Sequence, residues 1–225
     1  MSSDDPLTEA WRRALGLGAG TGAAREEAIR RFGFAIPSED ALIAIVESSP
    51  RGIVEIGAGT GYWANLLSER GVDVVAFDVA PSSVGGNQWF EGSPEWHPVE
   101  VGDHHRVAEY ADRTLLLVWP TKDETWPVET LDLFAEVGGS TVAYVGEGPG
   151  GRTGDAAFHA RLGETSTCLA CAHGVADVPC VCEFDARWER AAAVDIPTWP
   201  GFDDRLHLYR RAGSSRPRRW RRLSR

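Results

Sequence analysis

The stretch VEIGAGTGYW, residues 54–63, carries three glycines at alternate positions between an apolar run and an amphipathic segment. The apolar run over 52–56 predicts a short buried strand, and 62–70 has the pattern of a helix. Glycine allows the backbone to turn tightly between the two, and it lets a ligand approach without a Cβ in the way. The stretch therefore predicts a strand, a ligand-binding turn and a helix in immediate succession.

The alternation of strand and helix continues on the C-terminal side of this stretch. Further apolar runs are separated by polar loops and helical segments, which is the period of an α/β fold with a parallel sheet. The last two strands lie close enough in the chain to pair antiparallel. Strands are predicted over 72–77, 97–101, 114–119, 140–145, 187–196 and 205–211, and helices over 106–110, 129–137 and 155–162.

Three segments divide the chain, which at 225 residues has the size of one domain with small attachments. Residues 1–50 predict helices, one over 23–32 and one that begins at Ser38, whose hydroxyl and following acids suit a helix N-terminus. Residues 51–211 hold the alternating pattern. Residues 212–225 are arginine-rich without an apolar face, and we expect a disordered basic tail there.

The charge and hydropathy of the chain exclude several function classes. The net charge of −10 disfavours a nucleic-acid substrate, although the arginines of the tail leave weak nucleic-acid binding by that segment open. No apolar run reaches the roughly 18 residues of a membrane span, and the acidic N-terminus lacks the pattern of a signal peptide. We therefore expect a cytoplasmic protein without a membrane partner.

Acidic residues distinguish the glycine turn from turns that bind phosphate. No Gly-Lys-Ser/Thr follows, so it is not a P-loop, and its spacing is E-x-G-x-G-x-G rather than the G-x-G-x-x-G of dinucleotide folds. Glu55 would repel a pyrophosphate and favours a ligand with a cationic group. Asp78 ends the next strand, where a carboxylate accepts hydrogen bonds from ribose hydroxyls. A dinucleotide-binding domain and a fold without a small ligand remain alternatives.

These motifs resemble those of the class I S-adenosylmethionine-dependent methyltransferases. The resemblance rests on VEIGAGTG at 54–61, on Asp78 and on the Gly-Asp pair at 102–103, and the order of elements matches from residue 53 to 211. It implies a doubly wound seven-stranded sheet, the Rossmann-like methyltransferase fold, with five parallel strands and a final antiparallel pair. It also implies that the N-terminal helices form a lid over S-adenosylmethionine.

The resemblance assigns parts of S-adenosylmethionine to individual residues. The backbone of the glycine turn would contact the methionine end, Asp78 the ribose and Asp103 the adenine amino group. Trp119 would stack on the sulfonium or on a substrate, with packing between helix and sheet as the alternative. The expected cofactor-binding residues are Glu55, Gly57, Ala58, Gly59, Gly61, Tyr62, Trp63, Asp78, Gly102, Asp103, His104 and Trp119.

Four residues at predicted strand ends are candidates for a general base, which methyl transfer needs only when the accepting atom is protonated. They are Glu147, Tyr144, His104 and His105, with Glu147 in a glycine-rich loop. Surface or core packing is the alternative for each. VWPTKD at 118–123 stands where many amino-group methyltransferases have Asn/Asp-Pro-Pro-Tyr, and this departure weakens an assignment to base, DNA or protein-amide methylation.

The four cysteines, Cys168, Cys171, Cys180 and Cys182, lie in one short segment. Two close pairs suit a tetrahedral zinc site with four thiolate ligands, which leaves no open position and is therefore structural. Free thiols and a redox pair are the alternatives. We expect residues 166–182 to form a small cysteine-rich insertion held by zinc.

The resulting prediction is a small-molecule methyltransferase that uses S-adenosylmethionine and works by in-line transfer. One alternative is an enzyme that transfers the aminocarboxypropyl group of the same cofactor or cyclises it. Another is a non-catalytic, zinc-containing binding protein. The substrate, the accepting atom and the oligomeric state have no signal in the sequence.

Overall fold

A single mixed sheet runs through the structure, a computed structural model that describes residues 22–164 and 187–212. Its strands are β1 (Ile53–Ile56), β2 (Val74–Asp78), β3 (Glu100–Val101), β4 (Thr114–Val118), β5 (Thr141–Gly146), β6 (Trp188–Asp195) and β7 (Arg205–Arg211). The order is β3-β2-β1-β4-β5-β7-β6. β1 to β5 are parallel, and β7 is antiparallel to both of its neighbours. The predicted fold class, a doubly wound seven-stranded sheet, is confirmed.

Helices cover both faces of the sheet. They are α1 (Gly22–Phe32), α2 (Glu39–Ser48), α3 (Tyr62–Ser68), a 3₁₀ helix (His104–Tyr110), α4 (Trp126–Glu136) and α5 (Ala156–Arg161). Alternate side chains of the strands enter two apolar cores, one against α1, α2 and α3 and the other against the 3₁₀ helix, α4 and α5. We call these the first and the second core.

Side-chain caps begin three of the helices. The Ser38 hydroxyl accepts from a backbone N–H of α2 at 3.2 Å, and the Asp155 carboxylate accepts from a backbone N–H of α5 at 2.8 Å. Asp103 caps the 3₁₀ helix in the same way at 3.0 Å. Each cap satisfies a backbone donor that has no partner within its helix.

Two predicted boundaries differ from the structure by three residues, more than any other boundary, and a proline is involved in both. β3 is limited to Glu100–Val101 rather than 97–101, because Pro98 has no N–H to give to a strand ladder. α4 begins at Trp126 rather than at residue 129, since Pro127 falls in the first turn, where a helix does not need its N–H.

The N-terminal segment packs against the first core at the end of the sheet where the parallel strands finish. The Phe32 ring lies 4.9 Å from that of Tyr62 and 5.4 Å from that of Trp96. The Trp96 indole N–H donates to the carbonyl of Arg31 at 2.7 Å. These contacts place α1 beside the strand ends, and its role as a lid stays a prediction.

Parts of the sequence-based interpretation fall outside the described residues. They are the start of the N-terminal segment (1–21), the cysteine-rich segment with its surroundings (165–186) and the basic tail (213–225). Among the helices that the structure does describe, none has the length and apolar character needed to cross a membrane.

Candidate functional site

A cavity of about 420 Å³ lies at the carboxyl ends of β1, β2 and β4. The strand order reverses between β1 and β4, and open α/β sheets bind ligands at such a reversal. Every expected cofactor-binding residue except Gly61 lines this cavity. Their individual roles remain predictions.

Glu55 is a buried carboxylate, and one of its oxygens has no hydrogen-bond partner. Its neighbours Val54 and Ile56 face the second core, so the alternation of β1 turns Glu55 toward α3, where the backbone of Ala64 hydrogen-bonds to it. Burial, and secondly the charge of Asp78, raises the pKa of Glu55 to about 8. An unpartnered buried oxygen costs free energy, and a ligand that donates a hydrogen bond or carries positive charge would remove that cost.

Asp78 holds the glycine turn in place. Its Oδ2 accepts from the backbone N–H of Gly59 at 2.9 Å, and its Oδ1 accepts from that of Ala80, also at 2.9 Å. The N–H groups of Gly57 and Ala58 donate to the carbonyl of Phe77 at 2.8 Å and 3.0 Å, so three backbone donors tie the turn to the end of β2. A carboxylate oxygen has two lone pairs, and Asp78 therefore keeps acceptor capacity for a ligand.

The glycines of the turn are required by backbone conformation and by close packing. Gly57, Gly59 and Gly61 have φ values of 75°, 57° and 70°, in the left-handed region that favours glycine. A Cβ on Gly57 would lie 2.9 Å from the Trp126 ring, and one on Gly59 would lie 2.6 Å from the Phe90 ring. The sequence had indicated room for a ligand at these positions, and aromatic rings that also line the cavity occupy part of that room.

The residues after β3 form the far wall of the cavity. Gly102, Asp103 and His104 line it, and the Nε2 of His104 lies 3.5 Å from a carboxylate oxygen of Glu129. Asp103 accepts from the backbone N–H of His105 at 3.0 Å and lies 3.1 Å from its Nδ1. These hydrogen bonds, the backbone one first, lower the pKa of Asp103.

Asp103, His104 and His105 are also the one group with metal-ligand geometry among residues 22–164 and 187–212, because their ligand atoms lie within 4.8 Å of one another. Asp103 and His105 are exposed. The helix cap and the His105 contact account for this grouping without an ion.

An aromatic wall closes the cavity on the side of β4. Trp119 follows β4 with a φ of 54°, which is rare for a bulky side chain, and its ring stacks on that of Phe34 at 4.6 Å. The rings of Trp89 and Phe90 meet Phe34 edge-on, at 5.6 Å and 5.8 Å. Of these residues the sequence had predicted Trp119 alone. The Trp89-Phe90 pair in the otherwise polar segment 82–93 was the signal available for the loop.

Asp204 is a buried acid behind this wall that sequence reasoning missed. Its Oδ1 accepts from the indole N–H of Trp119 at 2.8 Å. The pKa of Asp204 is raised to about 6: burial raises it most and the charge of Glu147 also raises it, while the Trp119 hydrogen bond, Arg25 and Arg152 lower it. Because it is buried and hydrogen-bonded to the indole, the carboxylate of Asp204 holds the Trp119 ring in one orientation.

Glu147 and Tyr144, two of the predicted general bases, do not line the cavity. Tyr144 lies in the second core, where its hydroxyl donates to the carbonyl of Glu147 at 2.6 Å and burial raises its pKa. The carboxylate of Glu147 accepts from the side chain of Arg152 at 2.9 Å, from the backbone of Arg152 at 2.6 Å and from that of Asp203 at 3.1 Å. Both side chains hold loops in place, and His104 is the predicted base that reaches the cavity.

The predicted zinc ligands, Cys168, Cys171, Cys180 and Cys182, lie outside the described residues. The zinc site therefore stays a prediction.

Comparison with known proteins gave matches among solved structures alone. No protein-family model matches the chain, and no curated protein matches it. The chain is similar to magnesium protoporphyrin IX methyltransferase from Synechocystis PCC 6803, solved with S-adenosylmethionine, at 13% identity over 91% of both chains and a TM-score of 0.44. It is also similar to 1,6-didemethyltoxoflavin-N1-methyltransferase from Burkholderia thailandensis, at 14% identity over 77% of both chains and a TM-score of 0.45.

A third similar structure is an O-methyltransferase of tomaymycin synthesis from Streptomyces achromogenes, at 16% identity over 94% of this chain and 92% of that one, with a TM-score of 0.40. What these proteins bind is a property of those proteins. A function for this chain has to rest on its own cavity.

Proposed function

We propose that this protein is an S-adenosylmethionine-dependent methyltransferase that acts on a small molecule. The observation that carries the proposal is Glu55, a buried carboxylate with an unpartnered oxygen beside a glycine turn. A dinucleotide would bring a negatively charged pyrophosphate to this turn, whereas S-adenosylmethionine brings a cationic amino group and a cationic sulfonium. An ammonium can draw Glu55 into its ionised form and pair with it, whereas a pyrophosphate cannot, so the turn favours the second ligand.

The residues around the cavity fit S-adenosylmethionine group by group. Glu55 would hold the amino group of its methionine part, because an ammonium supplies the donor that the free oxygen lacks. Asp78 would accept from the ribose hydroxyls with the lone pairs that the glycine turn does not use. Gly102 and Asp103, which line the cavity, would border the adenine. A volume of about 420 Å³ falls in the range of small-molecule sites.

S-adenosylmethionine supplies an electrophilic methyl group, and the chain supplies position and environment. The aromatic wall attracts positive charge through its ring faces and excludes water. The cavity walls hold an accepting atom in line, which accounts for much of the rate enhancement of such a displacement. Where the accepting atom carries a proton, His104 would remove it, and Glu129, 3.5 Å from its Nε2, would orient the imidazole.

Calorimetric titration of the full chain with S-adenosylmethionine and S-adenosylhomocysteine tests the proposal. We expect both to bind, and we expect Glu55→Gln to weaken them about tenfold or more, as for other hydrogen bonds to charged groups. Glu136→Gln, on the exposed C-terminal end of α4, is the matched control and should change nothing. Absence of binding to the wild type would refute the proposal.

Proton release supplies a second readout at the same residue. At about pH 6.5 Glu55 is protonated in the free protein, because its pKa is about 8. A bound ammonium stabilises the carboxylate, so binding should release about one proton, measured by titration in buffers of different ionisation enthalpy. Glu55→Gln should abolish this release. A release that persists in the variant would assign the proton to another group.

A further inference from the structure

The charge of the cavity lining restricts what can bind beside the cofactor. Eight aromatic side chains and four carboxylates line the cavity. Within the part of the chain that the structure describes, no lysine or arginine contributes to this lining. A substrate carboxylate or phosphate would therefore lose its hydration without a cationic side chain to pair with, and its binding is unfavourable.

The side chain of Trp119 lines the cavity because the alternation of β4 side chains between the two cores ends at this residue. Leu117 faces the second core, and strict alternation would send Trp119 the same way. Instead, Trp119 adopts a φ of 54° and packs against the first core. A bulky residue in the left-handed region is strained, and such strain persists where the surrounding structure imposes it, often at a ligand site.

Asp204 imposes the orientation of the indole from behind. Its bond to the Trp119 N–H spans 2.8 Å, and it is 3% exposed. The charged groups around it are Arg25, Arg152 and Glu147. The chain just before Asp204 is braced as well, because the guanidinium groups of Arg25 and Arg152 each lie 4.2 Å from the ring centre of Phe202.

Phe34 belongs to the same wall of the cavity as Trp119, because the two rings stack directly on each other with 4.6 Å between their centres. It lies parallel to Trp119, with 7° between the ring planes, and lines the same cavity. The two rings belong to segments far apart in the chain, so their alignment is a product of the tertiary fold. Because the two rings cover each other's inner faces, a ligand meets the edges or the outer face of the pair, and these flat apolar surfaces favour a planar π-system over a puckered hydrocarbon of the same size.

We propose that the methyl acceptor is a flat aromatic compound that is neutral or positively charged, and that Trp119 and Phe34 select it. This proposal rests on the proposed function for the reaction, which is methyl transfer, and on the cavity lining for the choice of substrate. Asp204 is a positioning residue, because it acts through Trp119.

The experiment uses four small molecules with one carbon skeleton. They are 2-naphthylmethylamine, 2-naphthylmethanol, 2-naphthoate and the saturated decahydro-2-naphthylmethylamine. Each is titrated calorimetrically into the full chain saturated with S-adenosylhomocysteine, after the binding of S-adenosylhomocysteine itself has been measured. We expect the amine and the alcohol to bind, and 2-naphthoate and the saturated amine to bind about tenfold more weakly or worse, a difference of about 1.4 kcal/mol.

Variants assign the selectivity to the aromatic pair. Trp119→Leu and Phe34→Leu should each weaken 2-naphthylmethylamine about tenfold, and Phe34→Leu should leave the affinity for S-adenosylhomocysteine within about threefold. Asp204→Ala should weaken the amine, while Asp204→Asn should restore it, because an amide oxygen still accepts from the Trp119 N–H. A purely structural role for Asp204 would lower both affinities together and would show no such rescue. Thermal unfolding identifies any variant that does not fold.

The outcomes separate this proposal from the proposed function. The proposal is overturned if 2-naphthoate or the saturated amine binds as tightly as 2-naphthylmethylamine. It is also overturned if no aromatic compound of the set binds up to about 1 mM, or if both leucine variants bind like the wild type. Failure of S-adenosylhomocysteine to bind, with the expected order among the four compounds, would refute the methyltransferase and leave the selectivity of the cavity standing.

Discussion

Replacement of Glu55 by glutamine is expected to stabilise the ligand-free protein at neutral and alkaline pH, although it removes a ligand contact. Glutamine has nearly the shape of glutamic acid and cannot ionise. Burial and the charge of Asp78 raise the pKa of Glu55 from 4.5 to about 8 in the folded state. In the unfolded chain the same carboxyl ionises at its ordinary pKa. The folded protein therefore keeps a proton that the unfolded chain has already lost between these two values.

The size of the effect follows from those two pKa values. Because the unfolded state binds fewer protons in this interval, the free energy of unfolding falls as the pH rises, by about 1.4 kcal/mol for each pH unit. The contribution is fully present below pH 4.5 and is lost as the pH passes through about 8. Over the whole interval the loss is on the order of 5 kcal/mol. The Glu55→Gln variant has no ionisable group at this position and does not undergo this loss of stability.

Urea unfolding followed by tryptophan fluorescence, between about pH 5 and pH 8, measures the effect. Other buried groups titrate in both proteins, among them Asp204 with a pKa of about 6 and His207 with a pKa of about 4, so the difference between wild type and variant isolates Glu55. We expect the free energy of unfolding of the variant to rise relative to that of the wild type with each pH unit. Parallel pH profiles would refute the reasoning. Saturating S-adenosylmethionine should narrow the difference, since a hundredfold excess over the wild-type Kd stabilises the wild type by about 2.7 kcal/mol and a variant that binds tenfold more weakly by about 1.4 kcal/mol.

Three further substitutions test the packing around the site by urea unfolding. Gly59→Ala should destabilise the protein by about 1–3 kcal/mol or more, because the new Cβ would lie 2.6 Å from the Phe90 ring at a φ of 57°. Gly85→Ala is the control, since Gly85 has a φ of 86° and open space around it and therefore reports backbone strain alone. Equal losses of stability in the two variants would rule out the contact with Phe90. Tyr144→Phe should lower the free energy of unfolding by about 1–3 kcal/mol, because buried hydrogen bonds of the hydroxyl are lost. The affinity for S-adenosylmethionine and the turnover should stay at the wild-type level, and a loss of turnover would identify the tyrosine as a catalytic residue. Ser38→Ala should cost about 1 kcal/mol by removal of a helix cap, and an unchanged midpoint would show that the cap contributes nothing.

The sheet could be predicted from the sequence because its strands carry strong local signals. The apolar run over 114–119 reads as a strand buried on both faces, and four of the five residues of β4 are buried. Spacing between the runs also predicted the parallel strands and the final antiparallel pair. The boundaries that moved most are the ones near Pro98 and Pro127, where the backbone rather than hydrophobicity determines the limit of the element.

The site could be predicted where it depends on the ends of single strands. Glu55 and Asp78 both line the cavity, because strand alternation and the glycine turn are local properties of the chain. The bond between Trp119 and Asp204 joins residues 85 positions apart, and no local pattern indicates it. Glu147 was predicted to lie at the site from its place after a strand, but its carboxylate binds the side chain of Arg152 and does not line the cavity.

The position of β7 in the sheet has a consequence for synthesis on the ribosome. β7 lies between β5 and β6, although it follows both in the chain. Until residues 205–211 have emerged, β5 is an edge strand, and all of its residues are of the kind that the finished fold buries. Such an edge is prone to pair with other chains, so the nascent protein passes through an aggregation-sensitive stage. Asp204 precedes β7 directly, and the indole of Trp119 therefore receives its anchor in the same late step.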